Sequence, residues 1–146
     1  MKIAVGSDHG GFELKEAIIK HLEKEGHKVL DFGTNSTDSC NYPLYGASVA
    51  KSVVAGEADC GIVVCTSGEG ICISANKIKG IRCGIGYNDE VTKLMRLHNN
   101  ANMISFGAKF MKEPDVLRRI DIFLNTEFEG GRHALRVDMI KALEEK

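Results

Sequence analysis

Apolar residues along this chain follow two alternating rhythms. Short runs without polar interruption mark strands, and longer segments with apolar residues every three or four positions mark helices. The runs predict strands over Lys2–Gly6, Lys28–Phe32, Gly61–Cys65, Ile81–Ile85 and Met103–Phe106. Between the first two, Phe12, Leu14, Ala17, Ile18 and Leu22 put an apolar stripe on a helix over Phe12–Glu25, with Gly26 as the residue that ends it. Pro43 starts a helix that runs to about Ala55 and stops at Gly56. Helices over Gly70–Lys77 and Asp89–His98 follow the third and fourth strands. Glu113–Asn125 and Arg132–Glu145 close the chain, the last with Leu135, Val137, Ile140 and Leu143 on a broad apolar side. This alternation predicts an α/β protein whose parallel sheet is covered on both faces, with right-handed crossovers. Ligands of such sheets bind at the carboxyl ends of the strands, near a reversal of strand order.

The 146 residues fit one domain, 1–146, and no repeat, low-complexity tract or linker divides them. A net charge of −1 gives no global basic field for nucleic acid or membrane, so an anionic ligand needs a local cluster. No apolar run approaches the ~20 residues that span a bilayer, and Met1-Lys-Ile-Ala-Val reads as a strand rather than a signal peptide. The five cysteines (40, 60, 65, 72, 83) are odd in number and lack a C-x-x-C pair. They read as reduced thiols of a cytoplasmic protein, and their spacing with the histidines matches no usual zinc pattern.

Two loops fall where the strand-end rule puts a site. Gly6-Ser-Asp-His-Gly-Gly11 follows the first strand and offers Asp8 and His9, as acid–base groups or as a helix cap. Cys65-Thr-Ser-Gly-Glu-Gly70 follows the third. There a thiol meets a glycine-rich turn that opens a helix, where converging N–H groups and the helix dipole favour negative charge, thiolate included. Ser67 either joins that cradle or caps the helix, and Glu69 either lines it or stabilises the helix start. Cys60, Cys72 and Cys83 read as small core residues. The cysteine-phosphatase loop is excluded because Ile71 stands where it needs arginine, a P-loop lacks its Gly-Lys-Ser/Thr, and Ile73 replaces the third glycine of a dinucleotide fingerprint. His98-Asn-Asn-Ala-Asn102 ends a helix, where His98 is either a dipole partner or a functional group, with more asparagine than a cap requires, which points to hydroxyl recognition. Arg132 and Arg136, four residues apart behind Gly130-Gly131, share a helix face and make either a candidate phosphate clamp or a solvated surface pair.

Gly6-Ser-Asp-His-Gly-Gly-Phe-x-Leu-Lys15, Val29-Leu-Asp-Phe-Gly-Thr34, Tyr42-Pro43, the Cys65 loop with Ala75-Asn-Lys77, His98–Asn102 and Gly130-Gly-Arg-His-x-x-Arg136 occur in that order. Together they resemble the type B ribose-5-phosphate isomerases and related sugar-phosphate isomerases, over nearly the whole chain. The resemblance implies a Rossmann-like three-layer α/β/α sandwich with a five-stranded parallel sheet. It also implies a homodimer, often paired into a tetramer, with active sites shared between subunits. The implied reaction interconverts ribose 5-phosphate and ribulose 5-phosphate, a step of the pentose phosphate pathway, without metal or organic cofactor.

Carried over by residue, Cys65 resembles the base that moves a proton between C1 and C2. Ser67 stands where a threonine or serine supports the enediolate, and the amides of Ser67, Gly68, Glu69, Gly70 and Ile71 form the anion hole. Asp8 and His98 match the ring-opening groups. His9, Arg132 and Arg136 match the phosphate ligands, and Tyr42 and Asn99 the sugar contacts, with Asn99 offered across the dimer. The chain departs from the pattern at Thr66-Ser67 (often Gly-Thr), Asn41 (often aspartate), Lys109 (arginine in some members) and Ile71 (a catalytic glutamate in some relatives). These departures bear on the preferred sugar. An isomerase of a six-carbon phosphate, allose or galactose 6-phosphate, stays open, as does a non-catalytic phosphosugar-binding module.

Overall fold

The computed structural model describes residues 1–145. The apolar runs form five strands: β1 Lys2–Ser7, β2 Lys28–Asp31, β3 Cys60–Cys65, β4 Cys83–Ile85 and β5 Met103–Gly107. Six α-helices accompany them: α1 Phe12–Lys24, α2 Tyr42–Val54, α3 Glu69–Asn76, α4 Asp89–Leu97, α5 Glu113–Asn125 and α6 Arg132–Leu143. A single 3-10 turn, His9–Gly11, leads into α1. All strand pairings are parallel, in the order β2-β1-β3-β5-β4.

Residue alternation along the strands sorts the core into two layers. Ile3, Val5, Ile62, Val64, Ile104 and Phe106 pack with Leu14, Ile18 and Leu22 of α1, Met95 of α4 and Val116 and Ile120 of α5. Ala4, Val63, Cys65 and Met103 face Val49 and Ala50 of α2 and Ile71 and Ala75 of α3 on the other side. The three-layer α/β/α arrangement inferred above is therefore the one found. β1 and β3 lie side by side, yet the chain leaves them toward opposite edges of the sheet, β1 to β2 and β3 to β4. Their carboxyl ends flank the crevice of a strand-order reversal.

Two elements differ from the hydrophobic pattern. β4 begins at Cys83 rather than Ile81, because the Arg82 N–H donates to the Asn102 side chain (2.8 Å) instead of joining the ladder. In α6 only Val137 of the four expected apolar residues is buried, while Leu135, Ile140 and Leu143 are exposed. The pattern predicted the helix, but most of its apolar side is exposed among the described residues. Lys15 is a third surprise: it is fully buried, its Nζ donating to both Asp31 carboxylate oxygens (3.0 Å each) and to Glu16 (2.9 Å). A charge so placed must be paired. The bond also fixes the end of β2, where Asp31 accepts from the Gly33 N–H.

Candidate active site

The β1 and β3 loops meet at the carboxyl edge of the sheet. A Cβ on Gly10 would fall within 2.2 Å of the Thr66 hydroxyl, so the first loop lies directly against the second. Asp8 is buried. Its Oδ1 accepts from the Gly11 N–H (3.2 Å), so the carboxylate caps the 3-10 turn, as the alternative reading had it. Its other oxygen accepts no hydrogen bond among the described residues. His9 Nδ1 accepts from the Cys40 N–H (3.2 Å), which leaves the proton on Nε2 and ties the Asn35–Asn41 loop to the site.

Cys65 ends β3 with its side chain buried, and its Sγ accepts from the Gly68 N–H at 3.1 Å. Gly68 has φ +82, and a Cβ there would press on the Phe106 backbone at 2.9 Å. Ser105, the lone hydroxyl in an otherwise apolar β5, donates to the Gly68 carbonyl at 2.7 Å from a fully buried position. Its isolation among apolar neighbours is the one signal of it in the sequence. Ser67 Oγ accepts from the Glu69 N–H (3.2 Å), so its hydroxyl serves the local turn and keeps its own proton to donate. Of the five amides inferred for the anion hole, those of Gly68 and Glu69 are thus engaged. Gly70 and Ile71, in the first turn of α3, find no acceptor for theirs among the described residues. The Tyr42 ring lies over Gly70, where a Cβ would come within 2.5 Å of it, so the phenol borders the cradle. Glu69 is exposed at the helix start, with Ser67, Tyr87 and Phe110 along one shallow apolar depression.

The other thiols occupy different settings. Burial pushes Cys60 up to about 12. Cys72 and Cys83 lie against each other, that contact lowering Cys72 and raising Cys83. Cys60 and Cys72 are buried, as small core residues are; Cys83 is partly exposed.

The remaining candidates lie elsewhere. His98 caps α4 and stacks on His133 of α6, ring centroids 4.1 Å apart and planes 13° from parallel. The Glu129 N–H donates to the Leu97 carbonyl (3.1 Å), which fixes the start of α6 beside the end of α4. Arg132 and Arg136 are exposed there and make no ion pair among the described residues, which fits a clamp and a solvated surface pair alike. Of the three asparagines, two are structural, which corrects the reading of the run as hydroxyl recognition. Asn100 takes a left-handed backbone (φ 47) and accepts from Arg96 at 3.0 Å, while Asn102 brackets Arg82 and Gly80. Only the Asn99 side chain is free among the described residues, its carbonyl taking the Arg82 guanidinium.

This second cluster sits at the amino edge of the sheet. Asn102, four residues past His98, accepts from Gly61 at the start of β3, whereas Cys65 ends that strand. Four residues of parallel strand rise ~13 Å. Six bonds separate C1 of a pentose from its 5-phosphorus, and at ~1.5 Å per bond they reach at most ~9 Å. Within one chain, therefore, the structure brings together Asp8, His9, Tyr42, Cys65, Ser67, Gly68, Glu69, Gly70 and Ile71. It places His98, Asn99, Arg132 and Arg136 apart from them.

A thiol and two amides without acceptors among the described residues thus lie together at the strand-order reversal of a parallel sheet. The comparisons name the family. Residues 3–140 match the family model described as Ribose/Galactose Isomerase, and the chain belongs to that family. It is 41% identical over 145 residues to ribose-5-phosphate isomerase B of Escherichia coli (strain K12), an alignment covering 99% of this chain and 97% of that protein. Among solved structures, Clostridium thermocellum ribose-5-phosphate isomerase B superposes with a TM-score of 0.98 at 45% identity, covering 99% of this chain and 98% of the other. Mycoplasma genitalium ribose-5-phosphate isomerase B with bound ribulose-5-phosphate gives 0.95 at 35%, covering 99% and 97%.

Proposed function

We propose that this protein interconverts D-ribose 5-phosphate and D-ribulose 5-phosphate through an enediolate, as a homodimer whose two sheet edges face each other across the interface. The observation that carries the reading is the division of the site. One edge holds a base and an anion cradle, the other an imidazole and two unpaired guanidinium groups, too far apart in one chain to share a substrate. A two-fold pairing brings each edge against its complement from the second copy, and two such dimers can stack into a tetramer. The exposed apolar residues Leu135, Met139, Ile140 and Leu143 on α6 supply surface for such pairing.

The chemistry then follows. Arg132 and Arg136 hold the phosphate with the Nε2–H of His9, so binding energy far from the reacting carbons orients them. Asp8 and His98 of the facing copy exchange the protons that open the furanose. Tyr42 and Asn99 hold the sugar hydroxyls. Cys65 takes the C2 proton and returns it to C1 while the O2 hydroxyl proton passes to O1, with sulfur set by the Gly68 N–H. Charge that develops on the enediolate oxygen meets the Gly70 and Ile71 amides and the Ser67 hydroxyl, with Glu69 at the rim. No step draws on a metal, an organic cofactor, nucleic acid or a membrane. The whole chain, 1–146, acts as one domain, in the cytoplasm, a placement that its five unpaired thiols support.

The direct test is incubation of the purified protein with ribose 5-phosphate while ketose is measured. Native protein produces it and Cys65→Ala does not, although the variant folds. Turnover by Cys65→Ala at the native rate would remove Cys65 from the mechanism. Turnover confined to six-carbon phosphates would overturn the substrate assignment.

A further inference from the structure

His133 plays no part in the mechanism above, yet it is 5% exposed and its Nε2 has no hydrogen-bond partner among the described residues. A buried ring that merely packs turns its nitrogens toward partners. This one points at Glu129, whose Oε1 lies 3.9 Å away, too far for a hydrogen bond. One donor atom each from His98, Glu129 and His133 lies within 4.8 Å of the other two. We infer that His98, Glu129 and His133 form a binding site for a divalent ion of the zinc class, and that the ion switches the isomerase off by occupying His98. The second half rests on the function proposed above.

The donor set selects the ion. Two imidazoles and a carboxylate suit zinc, cobalt, nickel or copper, whereas magnesium and calcium ask for more oxygen. Arg132 and Arg136 lie beside His133 and oppose a cation held by charge alone, which again favours ions bonded strongly to imidazole. Tetrahedral zinc with bonds of ~2.0–2.1 Å needs donors about 3.3 Å apart. The 3.9 Å gap closes by a modest swing of Glu129, whose side chain is 57% exposed, together with a turn of His98 out of its stack. Three protein ligands leave a fourth position for water. The backbone is already set, with Glu129 bonded to Leu97 and His133 to the Gly130 carbonyl. The ion is an inhibitor here, not a cofactor: the ring nitrogen that binds metal can no longer exchange a proton with the sugar, and the ring is turned away from it.

The experiment titrates chelator-treated full-length protein with Co²⁺, read by its absorption spectrum, and then displaces it with Zn²⁺. Cys65→Ala is run in parallel to remove that thiol. The expected result is one cobalt per chain with tetrahedral nitrogen–oxygen bands, no thiolate charge-transfer band, and displacement by Zn²⁺ but not Mg²⁺. Glu129→Gln, at an exposed position, and His133→Gln each weaken binding at least about tenfold. Absence of bound cobalt, a thiolate spectrum, or undiminished affinity in both variants would overturn the site. Ribose 5-phosphate turnover falls in step with zinc occupancy, returns with chelator, and needs at least about tenfold more zinc to inhibit Glu129→Gln. Full turnover at full occupancy would overturn the switch. Metal-free protein without any turnover would instead count against the proposed function, and the cobalt titration would still report on the site.

Discussion

Gly107→Ala tests whether the anion cradle is set by backbone contact. Gly107 ends β5 beneath the Cys65 loop, and a Cβ there would lie 2.3 Å from the Ser67 carbonyl oxygen, 2.5 Å from its carbon and 3.0 Å from its Cα. Every one of these is a backbone atom, so no side chain can swing aside. Ordinary contact begins near 3.4 Å, and the loop must retreat by about 1 Å. It is tied on both sides, by Ala108 N–H to the Cys65 carbonyl (2.9 Å), Lys109 N–H to Thr66 (3.1 Å) and Ser105 to Gly68 (2.7 Å). The retreat therefore carries the cradle away from the sulfur rather than being absorbed locally. A displacement of about 1 Å at a reacting centre costs roughly 100-fold in rate, and overpacking of this kind costs about 1–3 kcal/mol of stability. Steady-state kinetics on ribose 5-phosphate should give kcat reduced about 100-fold with a smaller effect on KM, since two of the proposed phosphate ligands, Arg132 and Arg136, come from the facing copy and do not move with this loop. Thermal melting checks that the variant is folded. A folded Gly107→Ala protein with native kcat would refute the claim that this contact positions the cradle.

Arg136→Ala should raise KM for ribose 5-phosphate at least about tenfold, the loss of one charge-assisted hydrogen-bonding partner, with a smaller effect on kcat; an unchanged KM would remove it from the clamp. Lys15→Met should lower stability by about 2 kcal/mol in urea denaturation, the salt-linked hydrogen bonds being discounted for the partial exposure of Asp31 and Glu16. A change within a few tenths would show that the buried ammonium is dispensable. Burial, and then the charge of His98, holds His133 below the ordinary imidazole range. The unfolded chain therefore takes up that proton first, and this contribution to stability is present above about pH 6.5 and is lost as pH falls below it. Melting temperatures from pH 8 to pH 5 should fall more steeply for native protein than for His133→Gln; parallel curves would contradict the shift.

The sheet, its helices and the carboxyl-edge loops were readable from the sequence because each depends on local pattern. Uninterrupted apolar runs gave the strands, and Gly68 with Gly70 after a buried strand gave the cradle. What escaped depends on contacts between distant segments. Ser105 acts on Gly68 across the sheet, 37 positions away in the chain. Lys15 reads as a surface residue of an amphipathic helix until Asp31 is seen beside it. Asn100 and Asn102 looked like sugar ligands because sequence does not show that Arg82 and Arg96 already claim them. The outward apolar side of α6 could not be told from a core-facing one, since helical periodicity reports that a face is apolar and not what covers it. His133 passed as filler between Arg132 and Arg136, and only its burial against His98 singles it out.

The proposed division of the active site between two copies is tested most directly by complementation. Cys65→Ala disables one sheet edge and Arg136→Ala with His98→Asn disables the other, so each variant alone is inactive. When the two are co-expressed in equal amounts, half of the dimers are mixed, and each mixed dimer carries one site with every group intact. The account predicts recovery of about a quarter of native turnover on ribose 5-phosphate. A mixture that is demonstrably heterodimeric yet no more active than its components would contradict it.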